Sequence, residues 1–93
     1  MQITNNKKLS RFETQLPDGE YAIIEYRWLK AAMVLMHTFV PNSGRGQGIA
    51  DELAKYALEY IRAHHLKAII YCTFILKYVE RHPGYEDIIQ EKR

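Results

Sequence analysis

One stretch decides the fold: Val40-Pro41-Asn42-Ser43-Gly44-Arg45-Gly46-Gln47-Gly48-Ile49-Ala50. It joins a strand-like apolar run to the longest amphipathic helix of the chain, and it holds three of the five glycines. Glycine adopts positive φ and lets a ligand approach the backbone closely. A glycine turn that opens into a helix also presents free N–H groups and the positive end of the helix dipole. The stretch therefore predicts a phosphate-binding turn, with a plain strand-to-helix bend as the alternative.

Two common phosphate-binding motifs do not match this turn. The dinucleotide fingerprint would need a glycine where Ile49 stands, and no Gly-Lys-Ser/Thr follows to complete a P-loop. The glycine spacing therefore matches neither motif, and the rest of the chain has to decide whether the turn binds phosphate.

Length and charge exclude several classes of protein. A chain of 93 residues with 47% hydrophobic residues has the size of a single domain, over residues 1–93, with one two-layer core. The net charge of +2 comes from interspersed charges without a basic stripe, so we expect no nucleic-acid partner. A polyanionic small molecule remains compatible with this charge.

Cysteine content and hydropathy suggest a location. Cys72 is the one cysteine, which excludes an intramolecular disulfide and a cysteine-based metal cage, and no histidine pair has metal-ligand spacing. The first residues lack the apolar core of a signal peptide, and no run approaches the roughly 20 apolar residues of a membrane helix. We expect a cytoplasmic protein that binds neither a metal nor a membrane.

Hydrophobic periodicity gives the order β-β-β-α-β-α. Alternating and β-branched runs predict strands at residues 8–16, 20–29 and 32–40, joined by short turns as an antiparallel meander. A helical pattern follows over residues 46–64, then an apolar strand over 67–72 parallel to the third, and a second helix that Pro83-Gly84 stops. The polar tail from about residue 86 is expected to be partly ordered at best. The predicted class is α+β, with a mixed sheet packed by two helices.

Four segments in this order resemble one subfamily of the GCN5-related N-acetyltransferases, that of very small stand-alone members. They are His37-Thr38-x-Val40-Pro41, Arg45-Gly46-Gln47-Gly48-Ile49-Ala50, Cys72-x-Phe74 and Tyr78-x-x-x-His82-Pro83-x-Tyr85. The resemblance covers nearly the whole chain and implies a single-domain minimal acyl-CoA N-acyltransferase fold.

The resemblance also implies acetyl-coenzyme A as co-substrate. The turn amides would hold the pyrophosphate, and the pantetheine arm would pass between the splayed third and fourth strands, bonded to the backbone of residues 37–40. The residues implied to contact the coenzyme are Thr38, Phe39, Val40, Arg45, Gly46, Gln47, Gly48, Ile49, Ala50 and Phe74.

Three side chains are candidates for chemistry. Tyr78 matches the tyrosine that serves many family members as general acid to the departing thiolate, and is otherwise a core aromatic. Cys72 lies at the end of the fourth predicted strand, where it is either polarised near the thioester, transiently acylated, or a small buried hydrophobe. His37 is expected on the same strand face as Leu35 and Phe39, where it deprotonates an acceptor amine, activates Cys72, or is structural.

Two departures from the subfamily pattern leave two functions open. Phe39 stands where those proteins typically carry a glutamate, and Thr73 stands where a proline usually follows the cysteine. The first departure removes a possible general base. The chain is therefore an N-acetyltransferase acting on an unidentified amine, or an acyl-CoA-binding module with little or no transferase activity. Amino sugars, small amines and protein lysines all stay open as acceptors.

Overall fold

A computed structural model describes all residues, 1–93, as a six-stranded sheet with both helices on one face. The strands follow chain order, β1 to β6; the first three pairs are antiparallel, while β4–β5 and β5–β6 are parallel. The elements are β1 (Thr4–Asn6), β2 (Arg11–Gln15), β3 (Tyr21–Leu29), β4 (Ala32–Phe39), α1 (Ile49–Ala63), β5 (Lys67–Ile70), α2 (Thr73–Arg81) and β6 (Ile89–Lys92). The predicted α+β class, with a mixed sheet and two helices, is confirmed.

Strand alternation separates a buried face from an open face. On the helix-covered face, Phe12 lies opposite Ile24 and Tyr26 lies opposite Leu35, and all four are essentially inaccessible. They belong to a core of 21 buried residues that includes the apolar faces of α1 and α2. The opposite face carries only a small cluster of Ala32, Val34 and Ile69, and no helix covers it.

The predicted element order omitted two strands. A three-residue β1 pairs with β2 from Thr4 to Asn6 and is held by a 2.7 Å hydrogen bond from the Tyr26 hydroxyl to the Asn5 side chain. At the other edge, β6 pairs with β5. Both strands are short and polar, so neither has the hydrophobic alternation that identifies a strand from sequence.

The expectation of a partly ordered tail was wrong. Tyr85 and Ile88 are buried against the core, and the Ala68 N–H donates to the Ile88 carbonyl at 2.7 Å. The Arg62 guanidinium binds the Gly84 carbonyl at 2.6 Å and the Asp87 carboxylate at 2.8 Å. Two apolar anchors and one arginine thus order a segment whose composition is mostly polar.

Candidate functional site

The parallel strands β4 and β5 part beyond Leu35. They pair from Ala32 to Leu35, and the Leu35 carbonyl then accepts hydrogen bonds from the N–H groups of Tyr71 (3.0 Å) and Cys72 (3.2 Å). From there β4 continues to Phe39 paired with β3 alone, while the segment that follows β5 turns into α2. The edge of β4 that faces the resulting gap has no strand partner, so its backbone groups are free to bind a ligand.

A β-bulge at Met36 sets which side chains reach this gap. Glu25 lies opposite His37 and Tyr26 lies opposite Leu35, which leaves Met36 as an extra residue on β4. An extra residue reverses the alternation of the strand. The expectation that His37 shares the face of Leu35 is therefore wrong: Leu35 is fully buried, whereas His37 is exposed on the open face.

The same bulge brings Thr38 into contact with Cys72. Thr38 lies opposite the buried Ile24, on the helix-covered face. Its hydroxyl oxygen is 3.1 Å from the Cys72 sulfur, across the gap. Cys72 is buried and occupies the N-cap position of α2, where the helix dipole favours negative charge. The sequence offered no direct signal for this pair, because it depends on where the bulge falls.

The glycine turn ends in a row of free backbone donors. A 3-10 turn at Asn42–Gly44 leads to Gly46 at φ +78° and to Gly48, the N-cap of α1, at φ +75°. None of the backbone N–H groups from Gly46 to Asp51 donates a hydrogen bond within the chain. With the positive end of a 15-residue helix behind them, these six amides have the properties of an anion site.

Two side-chain hydrogen bonds and one ion pair surround the turn. Arg45 Nε donates to the Val40 carbonyl at 3.0 Å, and Gln47 Nε2 donates to the Ser43 carbonyl at 3.2 Å. The carboxylate of Asp51, in the first helical turn, is 3.4 Å from the Arg81 guanidinium. The positive charge of Arg81 partly offsets the repulsion between the Asp51 carboxylate and an anion bound at the amides.

A cavity of about 230 Å³ opens beside the turn. It brings together seven of the ten residues that the sequence predicts at a coenzyme site: Val40, Arg45, Gly46, Gly48, Ile49, Ala50 and Phe74. The other three lie elsewhere. Thr38 is in the strand gap, Phe39 is 44% exposed on the open face, and the Gln47 side chain lines a neighbouring cavity.

Tyr78 lies in the groove between α1 and α2. Its ring stacks on His82, with centroids 4.1 Å apart, and its hydroxyl makes no hydrogen bond within the chain. Burial, followed by the nearby charges of Asp51 and Glu52, raises the pKa of Tyr78 above its ordinary value. Its groove shares only Asp51 with the cavity at the turn. Tyr78 and Cys72 lie on α2 and its N-cap and belong to the same buried core, whereas His37 lies on the open face of the sheet.

The structure has neither a cluster of potential metal ligands nor a helix that could span a membrane. No three His, Cys, Asp or Glu side chains are arranged so that they could hold a metal ion. Neither helix has the length and apolar character needed to cross a bilayer.

A sheet with splayed parallel strands beside a glycine turn is the architecture that the sequence resemblance implies, and comparison with known proteins identifies the class. A family model described as GCN5-related N-acetyl-transferase matches residues 11–88. The chain belongs to this family, as the sequence resemblance predicted.

Individual relatives are similar over most of their length. Protein NATD1 of Gallus gallus is 36% identical over 85 residues, which cover 89% of this chain and 77% of the relative. The Homo sapiens protein of the same name is 34% identical, with 89% and 75% covered. A GCN5-like protein of Staphylococcus aureus solved by NMR superposes with a TM-score of 0.73 at 26% identity, over 97% of this chain and 88% of that one.

Proposed function

We propose that this protein is an acetyl-coenzyme A-dependent N-acetyltransferase that transfers an acetyl group to an amine still to be identified. The single observation that carries the proposal is the row of six unpaired N–H groups from Gly46 to Asp51, beside a gap between parallel strands. A diphosphate fits such a row of amides at a helix N-terminus. The amide groups of a pantetheine arm match the free backbone edge of β4.

When bound, acetyl-coenzyme A supplies an acetyl group activated as a thioester. The chain contributes binding and positioning, which alone lower a barrier substantially. The free edge of β4 offers backbone donors to a carbonyl oxygen on which negative charge develops. The Thr38 hydroxyl lies 3.1 Å from the Cys72 sulfur across the gap. Cys72 is either polarised near the thioester, or its thiolate takes the acetyl group as the coenzyme thiolate leaves and then passes it to the amine as the cysteine thiolate leaves.

Proton transfers are assigned to the two remaining candidates. Tyr78, whose pKa is raised, stays protonated at neutral pH and holds a proton in the groove between the helices. His37 is exposed on the open face, where it can take a proton from an amine that approaches from that side.

The opposing candidate, an acyl-CoA-binding module without turnover, is favoured by one observation. His37 lies on the open face of the sheet, while Tyr78 and Cys72 lie on its helix-covered side. Catalytic groups that act together normally lie within hydrogen-bond reach. A binding module needs only the turn and the strand gap.

Calorimetry and transfer assays separate the two functions. Coenzyme A and acetyl-coenzyme A are titrated into the protein, and calorimetry measures the heat of binding. In NMR spectra of the same titration, amide chemical-shift changes are expected to cluster on residues 38–50 and 72–78. Release of free coenzyme A thiol is then measured with a panel of amines and peptides, for the native chain, Cys72→Ala and Tyr78→Phe. Absence of binding at millimolar coenzyme contradicts both functions; binding without turnover by the native chain leaves the module.

A further inference from the structure

Three connections lie at the end of the sheet opposite the glycine turn. They are residues 7–10 between β1 and β2, residues 30–31 between β3 and β4, and residues 64–66 between α1 and β5. Strand register brings them together, because Ala32 pairs with both Leu29 and Lys67. The Tyr26 N–H also donates to the Ser10 carbonyl at 3.0 Å. The connections and the residues beside them, 7–10, 27–31 and 64–67, are called the basic end below.

The basic end carries five cationic side chains and no carboxylate. All five are exposed, and none forms an ion pair; they are Lys7, Lys8, Arg27, Lys30 and Lys67. Two acidic residues precede β6 at the same end of the sheet. The Asp87 carboxylate is bound by Arg62 at 2.8 Å, and the Glu86 carboxylate accepts a hydrogen bond from the Gly84 N–H at 2.9 Å. Since the whole chain has a net charge of +2, the rest of it is net negative, and the basic end attracts anions.

Apolar side chains project from the same turns. Leu9 is 53% exposed, and Trp28 and Leu29 are each 51% exposed. Apart from Met1, these are the three most exposed large hydrophobic residues of the chain. The Trp28 ring packs edge-on against Tyr26, with centroids 5.8 Å apart. Exposed tryptophan and leucine beside lysines are typical of surfaces that lie at a membrane interface.

A cavity of about 490 Å³ opens beside the turn between β3 and β4. Lys30, His65 and Lys67 all line it. The Lys67 ammonium donates one hydrogen bond, to the Asp87 carbonyl at 2.6 Å, which leaves two of its N–H groups for a ligand. Basic groups gathered around one cavity are suited to a phosphate headgroup.

We propose that the basic end docks on the surface of an anionic bilayer, with the lysines at the headgroup phosphates and Leu9, Trp28 and Leu29 among the headgroups. The expectation that the chain binds no membrane rests on the lack of a spanning run, and surface docking needs none. Nucleic acid is the other polyanion that this charge attracts, but Leu9 and Leu29 are aliphatic and offer a base no stacking surface. Docking leaves the glycine turn, at the opposite end of β4 and α1, away from the bilayer, so the inference does not depend on the proposed function.

Trp28 is the one tryptophan, so its fluorescence reports on docking directly. The full chain is mixed with vesicles of phosphatidylcholine alone, and with vesicles of phosphatidylcholine and phosphatidylserine at about three to one. A shift of the Trp28 emission to shorter wavelength, together with co-sedimentation, is expected only with the phosphatidylserine vesicles. High salt should reverse both, because it screens the attraction.

Three variants separate docking from a general effect of charge. Lys30→Gln is expected to bind phosphatidylserine vesicles about fivefold more weakly, the contribution of one basic side chain near an anionic surface. Leu29→Ser is expected to lose about as much, because it removes a half-exposed apolar side chain that would leave water. Lys77→Gln makes the same change of charge at an exposed, unpaired lysine of α2, and is expected to bind like the native chain.

Several results would overturn the assignment. They are an unchanged Trp28 emission with phosphatidylserine vesicles, equal binding to pure phosphatidylcholine, and equal losses in Lys77→Gln and Lys30→Gln. A single-stranded oligonucleotide that binds the chain when vesicles do not would assign the basic end to nucleic acid instead. Inorganic phosphate that shifts the amides of Lys30 and Lys67 without vesicle binding would leave a site for a free anion only. Coenzyme A titrations are expected to be the same for all three variants, and their outcome bears on the proposed function alone.

Discussion

Gly48 is the position at which the turn can be tested most directly. It is the N-cap of α1 at φ +75°, and a Cβ built on it would meet no atom within 4 Å. Gly48→Ala therefore introduces backbone strain without a clash. The left-handed conformation costs a residue with a Cβ about 1–2 kcal/mol. Alanine also restricts the unfolded chain, which offsets about 0.4–1 kcal/mol of that cost. The expected net loss in the free energy of unfolding is about 1 kcal/mol.

Urea unfolding followed by circular dichroism measures this loss. For a domain of this size, 1 kcal/mol corresponds to a decrease of about 4–8 °C in the melting temperature, and the slope of the free energy against urea should not change. Gly48→Asn is the matched control, since asparagine tolerates the left-handed region better than alanine. Its loss is expected to be clearly smaller.

Two results would refute this reasoning. If Gly48→Ala unfolds at the same urea concentration as the native chain, the positive φ at the N-cap is not a constraint on the fold. If Gly48→Asn loses as much stability as Gly48→Ala, the cost does not come from the left-handed backbone. Asparagine tolerates that region better than alanine, and at an N-cap its side chain can in addition accept a hydrogen bond from a free N–H, so both differences favour the asparagine variant.

Three further predictions test the packing around the site and the C-terminal segment. Gly44→Ala places a Cβ 2.9 Å from a methyl of Leu16 and should lower the free energy of unfolding by about 1–3 kcal/mol. In a double-mutant cycle measured by urea unfolding, Gly44→Ala should cost less when Leu16 is already replaced by Val. Additive losses would contradict the clash. Burial, then the hydrogen bond and charge of Glu59, raise the pKa of Tyr85 to about 12. Neutral Tyr85 therefore stabilises the fold below pH 10, and this contribution is lost between pH 10 and about 12. NMR titration of the ring carbons should give this pKa, and Glu59→Gln should lower it. Arg62→Met removes the bonds to residues 84–87 and should speed amide exchange in β6, whereas unchanged exchange would mean that the apolar anchors suffice.

Local patterns predicted the elements that position the site. The predicted helix over residues 46–64 contains α1 (Ile49–Ala63), and the predicted strands over 20–29 and 32–40 contain β3 and β4. These elements follow from rules that act over a few residues: a glycine turn, acidic residues in the first helical turn, and apolar residues on one face. The gap between β4 and β5 was implied by the family resemblance and is present.

Features that depend on distant partners were not predictable in this way. The first predicted strand, residues 8–16, is shortened to Arg11–Gln15, because Ser10 turns to φ +54°. The tail is ordered because β5 and Arg62 are available to bind it.

The bulge at Met36 shows how one residue couples the fold to the site. Without it, uninterrupted alternation from the buried Leu35 would direct His37 into the core and Thr38 away from it. A buried imidazole needs a hydrogen-bond partner. All 21 residues of the core cluster on the helix-covered face are aliphatic, aromatic or sulfur-containing. With the bulge, Tyr26 and Ile24 both keep core-facing partners on β4, the histidine stays in solvent, and the Thr38 hydroxyl meets the Cys72 sulfur. The register that is best for the core is thus also the register that places a hydroxyl and a thiol in the strand gap.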